Sequence, residues 1–530
     1  MIDPAPHEPD DAARDASSAD AVAARLDGLR SWHADWRGLR VAVLGLGVTG
    51  FSVADTLTEL GSEVLVLADR AEAERERLLE VIGARLHRAR NLDTVPEELE
   101  EFSPELVIVS PGFRPSHPIV RWASESGIAL WGDVELAWRV RDKVVRADGT
   151  PADWVAVTGT NGKTTTVRLA ATMLVAGGLR AAPCGNIGVP VLDAVRDPQG
   201  FDVLVVELSS YQLHYLGPIE PIASACLNIA DDHLDWHGSF AAYRAAKAKV
   251  YAGTRVACVY NRSDAATEQM VVDAEVVEGA RAIGFGLGVP GPSDFGIVDG
   301  ILCDRAFLED RRSSALEIAT VDELAARRLA APHIVQNVLA AAALSRACGV
   351  EVGAIRRALA GFELDDHRIQ VVAERSGVTW VDDSKATNPH AADASLRAYP
   401  SVVWLVGGLL KGVDVDALVA GHVARLRAAV VIGADRSALL EAFRRHAPAL
   451  PVSEVVPDDT GSVMQSAVEA AAVLARPGDV VLLAPAAASM DQFRDYADRG
   501  RAFAAAVATY LRGGADDSSD DEPPRGSLSH

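Results

Sequence analysis

Short apolar runs, most of them closed by a glycine turn or an acidic residue and the last by Ala484-Pro485, recur along almost the whole chain. They fall at residues 39–44, 64–68, 106–109, 154–157, 203–206, 402–406, 429–432 and 480–483. Runs that are apolar throughout, with no polar alternation, read as strands buried on both faces of a parallel sheet. Between several of them lie longer stretches with helical spacing, at 241–250, 334–347 and 352–359. From about 252 to 325 short valine-rich strands alternate with glycine turns. Strand, turn and helix in repeated succession predict α/β sheets whose loops gather at one edge.

The pattern divides into three domains. Residues 38–149 form a Rossmann-like N-terminal domain, 150–363 a central P-loop ATPase-like domain with a parallel sheet, and 364–512 a C-terminal Rossmann-like α/β domain. Residues 1–37, rich in Ala, Asp and Pro, are expected to be poorly ordered, and so is the acidic tail at 513–530.

Composition narrows the function. The net charge of −23, from 51 basic and 74 acidic side chains, argues against broad nucleic-acid binding but leaves room for a local phosphate pocket. The five cysteines are scattered without a C-x-x-C pair and read as buried thiols of a reducing compartment. The N-terminus has no apolar core of a signal peptide, and no run reaches the ~18 apolar residues of a membrane span. A cytoplasmic protein without membrane insertion is expected.

The chemistry centres on AVTGTNGKTTT, residues 156–166. It joins a strand to a helix through Gly159, Thr160, Asn161 and Gly162, followed by Lys163, Thr164 and Thr165. Such a loop turns backbone N–H groups and a helix N-terminus toward phosphate oxygens, with a lysine for charge and a hydroxyl for Mg²⁺. It is shorter than the usual phosphate loop, whose first glycine would stand at Val157. Glu207 closes the run 203–206 and is placed to hold Mg²⁺. His233, within Asp231-Asp232-His233-Leu234-Asp235, is a candidate metal ligand, and Lys247, fourteen residues on, reads by spacing alone as a solvated helix lysine. In the first domain Gly45-Leu46-Gly47-Val48-Thr49-Gly50, with Asp69 nineteen residues after Gly50, is a G-x-G-x-x-G diphosphate fingerprint. It fits NAD and a nucleotide-diphosphate sugar equally.

Taken together, AVTGTNGKTTT, GNIG, ELSSYQL, DDHLD followed by YRAAK, DHR, DDSKATNP, GGLLKG and PAAASMDQF occur in a fixed order. Across residues 39–512 the chain thereby resembles the Mur ligase family, ATP-dependent amino acid ligases that build the peptidoglycan peptide. DSKATN and ELSSYQL are most similar to the branch that adds D-glutamate to UDP-N-acetylmuramoyl-L-alanine. The resemblance implies an acyl-phosphate mechanism with ATP and two Mg²⁺ ions. It implies metal contacts from Thr164, Glu207, His233 and a Lys247 carbamylated by CO₂. Lys163 and Lys385 would act on the transferred phosphoryl group, and Asn337, Arg368 and Asp383 would contact ATP together with the loop. Val48, Thr49, Gly50, Asp69, Arg70 and Asn186 would hold the UDP-sugar substrate, which sets NAD aside. Thr387, Lys411, Ser489, Met490 and, less typically for a residue in a helical stretch, Tyr496 would line the D-glutamate pocket. A monomer is expected. Two departures stand out: Ala487 where relatives carry Cys, and GGLLKG without the Asp often found before its lysine.

Overall fold

Twenty strands form three sheets in the computed structural model, which describes residues 11–456 and 463–516. The first contains β1 (Arg40–Leu44), β2 (Glu63–Ala68), β3 (Arg85–Arg88), β4 (Leu106–Val109) and β5 (Ala129–Trp131). Its order is 3-2-1-4-5 and every pair is parallel, the doubly wound arrangement whose order reverses beside β1. The glycine loop after β1 therefore lies at the switch point. There the helix Val48–Glu59 starts so close to the strand that a Cβ on Gly50 would sit 2.0 Å from the Gly45 carbonyl oxygen. Gly50→Ala is expected to destabilise the protein by about 3 kcal/mol, because backbone must shift to admit the methyl group. Urea unfolding would check this, and a midpoint equal to the parent's would refute it.

The second sheet contains β6 (Asp153–Thr158), β7 (Ala181–Gly185), β8 (Val203–Glu207), β9 (Ala223–Cys226), β10 (Ala257–Asn261), β11 (Arg281–Phe285), β12 (Asp294–Val298), β13 (Ile301–Asp304) and β14 (Leu316–Thr320). Its order is 14-13-12-11-10-9-6-8-7, parallel from β7 to β12 and closed by two antiparallel strands. The valine-rich segment expected between 252 and 325 thus extends this sheet from β10 outward.

The chain splits into two compact units, and the first two sheets belong to one of them. One buried cluster runs through both, joining Val53, Leu57 and Val134 to Leu192, Val195, Leu213 and Leu216. Polar contacts cross the same junction: Arg196 reaches Asp55 and Glu59 at 2.7 and 2.8 Å, and Ser52 donates to Asp193 at 2.5 Å. The cluster also takes in Leu26, Leu29 and Trp36, and a helix spans Asp11–Gly28. The expectation of a poorly ordered stretch up to residue 37 is therefore corrected. A few large apolar side chains in an otherwise polar extension suffice to dock it. Residues 1–10 lie outside the described residues.

The second unit carries β15 (Gln370–Arg375), β16 (Val378–Asp382), β17 (Val402–Gly407), β18 (Leu426–Ile432), β19 (Val452–Glu454) and β20 (Val480–Leu483), in the order 15-16-20-17-18-19. All pairs are parallel except the hairpin β15–β16 at one edge. Helices cover both faces over two separate cores, one around Trp404 and Phe443 and the other around Trp380 and Phe503. The last helix, Tyr496–Asp516, runs into the segment expected to be a disordered tail, and the remainder of that segment lies outside the described residues. All five cysteines are free, four of them buried. Among the described residues no helix is long and apolar enough to cross a membrane.

Candidate active site

Gly159 to Gly162 leave the end of β6 and enter the helix Lys163–Ala176. Both glycines are required. Gly159 has φ +148° and a Cβ there would lie 3.0 Å from Leu227, while Gly162 has φ +84° and its Cβ would meet the Asn337 Oδ1 at 2.4 Å. Asn337, 6% exposed on the helix Pro332–Ala347, thus rests directly on the phosphate loop. The Lys163 ammonium donates to the carbonyls of Gly159 and Thr160 at 2.8 and 2.9 Å. Beyond β9, Asn228 accepts from the Asn161 N–H at 2.8 Å and donates to the Asn161 carbonyl at 3.1 Å. The Tyr243 hydroxyl bonds Thr160 Oγ1 at 2.9 Å. Sequence reading assigned no role to Asn228 or Tyr243. Their only signal was position, one just past a strand beside β6 and the other a helical turn before Lys247.

Glu207 ends β8, the neighbour of β6, and is 2% exposed. Its Oε1 accepts from Asn186 Nδ2 at 2.9 Å, and its Oε2 has no hydrogen-bond partner. Gly185 makes this possible, since a Cβ there would stand 2.5 Å from the Glu207 carbonyl oxygen. A buried carboxylate oxygen without a donor, across from a phosphate loop, suits a hard cation. Among the described residues no cluster of three or more His, Cys, Asp or Glu is arranged for a metal.

Lys247 is buried at 2% exposure, so its reading as a solvated helix lysine is corrected. Its helix, Phe240–Ala248, turns the side chain inward beneath the loop. There Nζ donates to Gly159 O at 2.9 Å and Thr158 Oγ1 at 3.1 Å, and lies 5.1 Å from the centre of the Tyr243 ring. These are acceptors for an ammonium group. His233 stands in a left-handed conformation, φ +53°, with Nε2 3.5 Å from Asp232.

In the second unit the loops after β16, β17 and β20 carry the remaining candidates. Lys385 lies 3.7 Å above the ring of Tyr496, so that aromatic is no core residue, whereas Phe493 packs on the core. Asp383 is 6% exposed; its oxygens accept from Ser395 and, at 3.3 Å, from the Ile369 N–H. Burial pushes its carboxyl up to about 6. Arg368 faces Asp365 at 3.7 Å. Ser489 is buried and Met490 exposed, and Lys411 has φ +54°. Left-handed backbone also occurs at Ala486 after β20, and at His367 and Ile369 just before β15. A helical residue, Arg499, ties the loops after β16 and β20 together: burial lowers its guanidinium to about 10, and it donates to Ser384 and Ala487.

The chain is similar to known proteins along most of its length. Three family descriptions match in succession: a Mur ligase MurD-like N-terminal domain over residues 39–132, a Mur ligase middle domain over 157–345, and a Mur ligase glutamate ligase domain over 367–487. The UDP-N-acetylmuramoylalanine--D-glutamate ligase of Leifsonia xyli subsp. xyli is 68% identical over 507 residues, which is 94% of this chain and 98% of that protein. This chain belongs to the Mur ligase family. A ligase of the same name from Streptomyces coelicolor is 53% identical over 477 residues, 89% of this chain and 98% of its own. Among solved structures, the UDP-N-acetylmuramate-alanine ligase of Thermotoga maritima aligns with a TM-score of 0.51 at 19% identity, covering 89% of this chain and 99% of that one. That is a likeness of fold.

In this Mur ligase the first-domain candidates are separate from the loop residues in sequence but share their unit. Val48 is 54% exposed at the start of its helix, and Asp69 and Arg70 are exposed just after β2. The first two domains also meet at a buried acid absent from the candidate set. Asp133 accepts from Gln212 Nε2 at 3.0 Å, its Oδ1 has no partner, and burial raises its carboxyl to about 6. A folded value of about 6 against an ordinary 3.8 means the folded protein binds the proton more tightly. That stabilisation is complete below pH about 4 and is lost as the pH rises through about 6. Asp133→Asn removes the titration, so relative to the parent its stability should improve by roughly 2 kcal/mol between pH 4 and pH 7. Denaturant melts at the two pH values would measure it, and parallel curves would refute it.

Proposed function

We propose that this Mur ligase joins D-glutamate to UDP-N-acetylmuramoyl-L-alanine, with ATP converted to ADP and phosphate, as a cytoplasmic monomer in peptidoglycan precursor synthesis. The observation that carries the reading is the 68% identity over nearly the full length of a ligase so named, with the motifs in the same order. In the reaction, the alanine carboxylate oxygen attacks the γ-phosphorus and the bond to the β–γ bridging oxygen breaks. An acyl phosphate and ADP result. The D-glutamate amine then attacks the acyl carbon, loses a proton, and expels phosphate from the tetrahedral intermediate.

The first step brings two anions together, so its barrier is mainly electrostatic. The backbone N–H groups at the start of the helix Lys163–Ala176 cradle the phosphates, and Lys163 turns from its own carbonyls toward the transferring group. Lys385 supplies a second cation there. Thr164 and Glu207 would hold one Mg²⁺, with His233 and Lys247 assigned to a second. When bound, the ions neutralise charge on the phosphate oxygens. The carbamate on Lys247 rests on family resemblance, since as an ammonium the side chain is already satisfied. Asn337 and Arg368 are assigned to the nucleotide, as is Asp383, whose carboxylate is braced by Ser395. Val48, Thr49, Gly50, Asp69 and Arg70 are assigned to the UDP end and Asn186 to the sugar. Thr387, Lys411, Ser489, Met490 and Tyr496 are assigned to D-glutamate, where Lys411 answers a carboxylate as a point charge.

The test is phosphate release from ATP with UDP-N-acetylmuramoyl-L-alanine, offering D-glutamate, L-glutamate and other amino acids in turn. Release that needs both the nucleotide substrate and D-glutamate is expected. Release driven by another amino acid would move the specificity, and none with any pairing would overturn the reading.

A further inference from the structure

Arg499 is 1% exposed on the helix Tyr496–Asp516, yet its fork ends on neutral oxygens. Nε donates to Ser384 Oγ at 3.0 Å, Nη2 to the Ser384 carbonyl at 2.9 Å, and Nη1 to the Ala487 carbonyl at 3.1 Å. Ser384 Oγ passes its own proton to the Tyr496 carbonyl at 2.7 Å, closing a ring back to the helix. The loop after β17 is drawn into the same knot. Leu409 and Ala488 exchange backbone hydrogen bonds at 2.9 and 3.1 Å. A Cβ on Gly408 would lie 2.3 Å from the Ala488 carbonyl oxygen and 3.3 Å from Arg499 Nη1. Two loops, leaving the sheet at β16 and β20, thus converge on one buried guanidinium, and the loop after β17 is joined to the second of them by the Leu409–Ala488 pair. Residues assigned above to D-glutamate and the transferred phosphate lie one to three positions from these anchor points: Lys385 and Thr387 after Ser384, Lys411 after Leu409, Ser489 and Met490 after Ala488.

The Asp491 and Asp382 carboxylates act on this cation only through space and do not overcome the cost of its desolvation, so it is a poor source of stability. Its planar fork does fix the separations and angles of the oxygens it holds, which a lysine's point charge does not. Resting on the ligase reading above, we infer that Arg499 is the positioning residue that sets the amino-acid pocket of this enzyme, by holding its loops at a common spacing without touching substrate.

The experiment compares wild type, Arg499→Lys and Arg499→Ala by steady-state phosphate release and by amide hydrogen exchange. Arg499→Lys keeps the charge and loses the fork. Its KM for D-glutamate should rise on the order of 10²-fold, the effect of loops displaced by about 1 Å. Its KM for the UDP-linked substrate, whose assigned residues follow strands of the first two sheets and none of the third, should stay within about threefold. The amides of Leu409 and Ala488 should exchange at least about tenfold faster, while those of β6 and β8 are unchanged. Guanidinium ion at millimolar concentration should restore part of the D-glutamate affinity of Arg499→Ala, and urea should not. Unchanged or equally raised KM values for both substrates overturn the inference. So does wild-type exchange at Leu409 and Ala488. Failure of the wild-type enzyme to use D-glutamate strikes the ligase reading instead, and the exchange arm then judges Arg499 alone.

Discussion

Lys163→Ala should lose phosphate release by about 10³-fold in kcat, with the fold intact. The size follows from what the site lacks without it: one preorganised donor to the transferring group is worth about 10²–10³, and a full cation toward an anionic γ-phosphate stands at the upper end. In this structure the ammonium rests on the carbonyls of Gly159 and Thr160, so its loss also leaves those two oxygens without that donor. Lys163→Arg separates the two effects. An arginine can still reach the loop carbonyls, but its broader fork does not fit a cradle in which Gly162 lies tight against Asn337. It should therefore recover thermal stability and little of the rate. Rapid-quench measurement of acyl-phosphate formation checks the step itself. A Lys163→Ala enzyme within tenfold of the parent would remove this lysine from the chemistry.

Lys247→Ala should cost about 10²-fold or more, and its rescue pattern distinguishes two chemistries. If CO₂ converts the amine to a carbamate, the working group is an anion. Formate or acetate should then restore a measurable part of the activity, Lys247→Arg should not, and enzyme equilibrated with ¹³C-labelled bicarbonate should show a carbamate carbon signal. If the group works as the ammonium seen between Thr158 Oγ1 and Gly159 O, carboxylates should do nothing and Lys247→Arg should keep more activity than Lys247→Ala. Burial at 2% exposure makes either loss large, because a cavity would be left under the phosphate loop. The carbon signal is independent of turnover, so it decides the matter even if both variants are inactive.

Both experiments concern residues that were legible in the sequence, but for different reasons. Lys163 was readable from local chemistry. A glycine loop between an apolar strand and a helix has few other uses, and the lysine sits where the loop must open. Lys247 was not readable that way. Nothing in its spacing says that the helix Phe240–Ala248 faces inward there, and an isolated lysine on a helix is ordinarily solvated. Glu207 lay between these cases: the strand end was evident, but its unpartnered Oε2 depends on Asn186 claiming the other oxygen from a different strand.

The sequence by itself determined the α/β class, the three sheets with their glycine loops, and the motif order that marks the family. Those signals are local: an apolar run, a turn residue, a spacing within a few positions. Only the tertiary structure decided which side chains share a pocket or a core. It buried Lys247 beneath Gly159, brought Asn337 onto Gly162, sealed Asp133 between two sheets, and drew Leu26, Leu29 and Trp36 of the N-terminal extension into the core. It also made Arg499, an unremarked residue in a helix, the link between the loops of Ser384 and Ala487. Contacts of that kind join residues some tens to hundreds of positions apart. Burial and hydrogen-bond satisfaction select them, and neither is a property of a short stretch of chain.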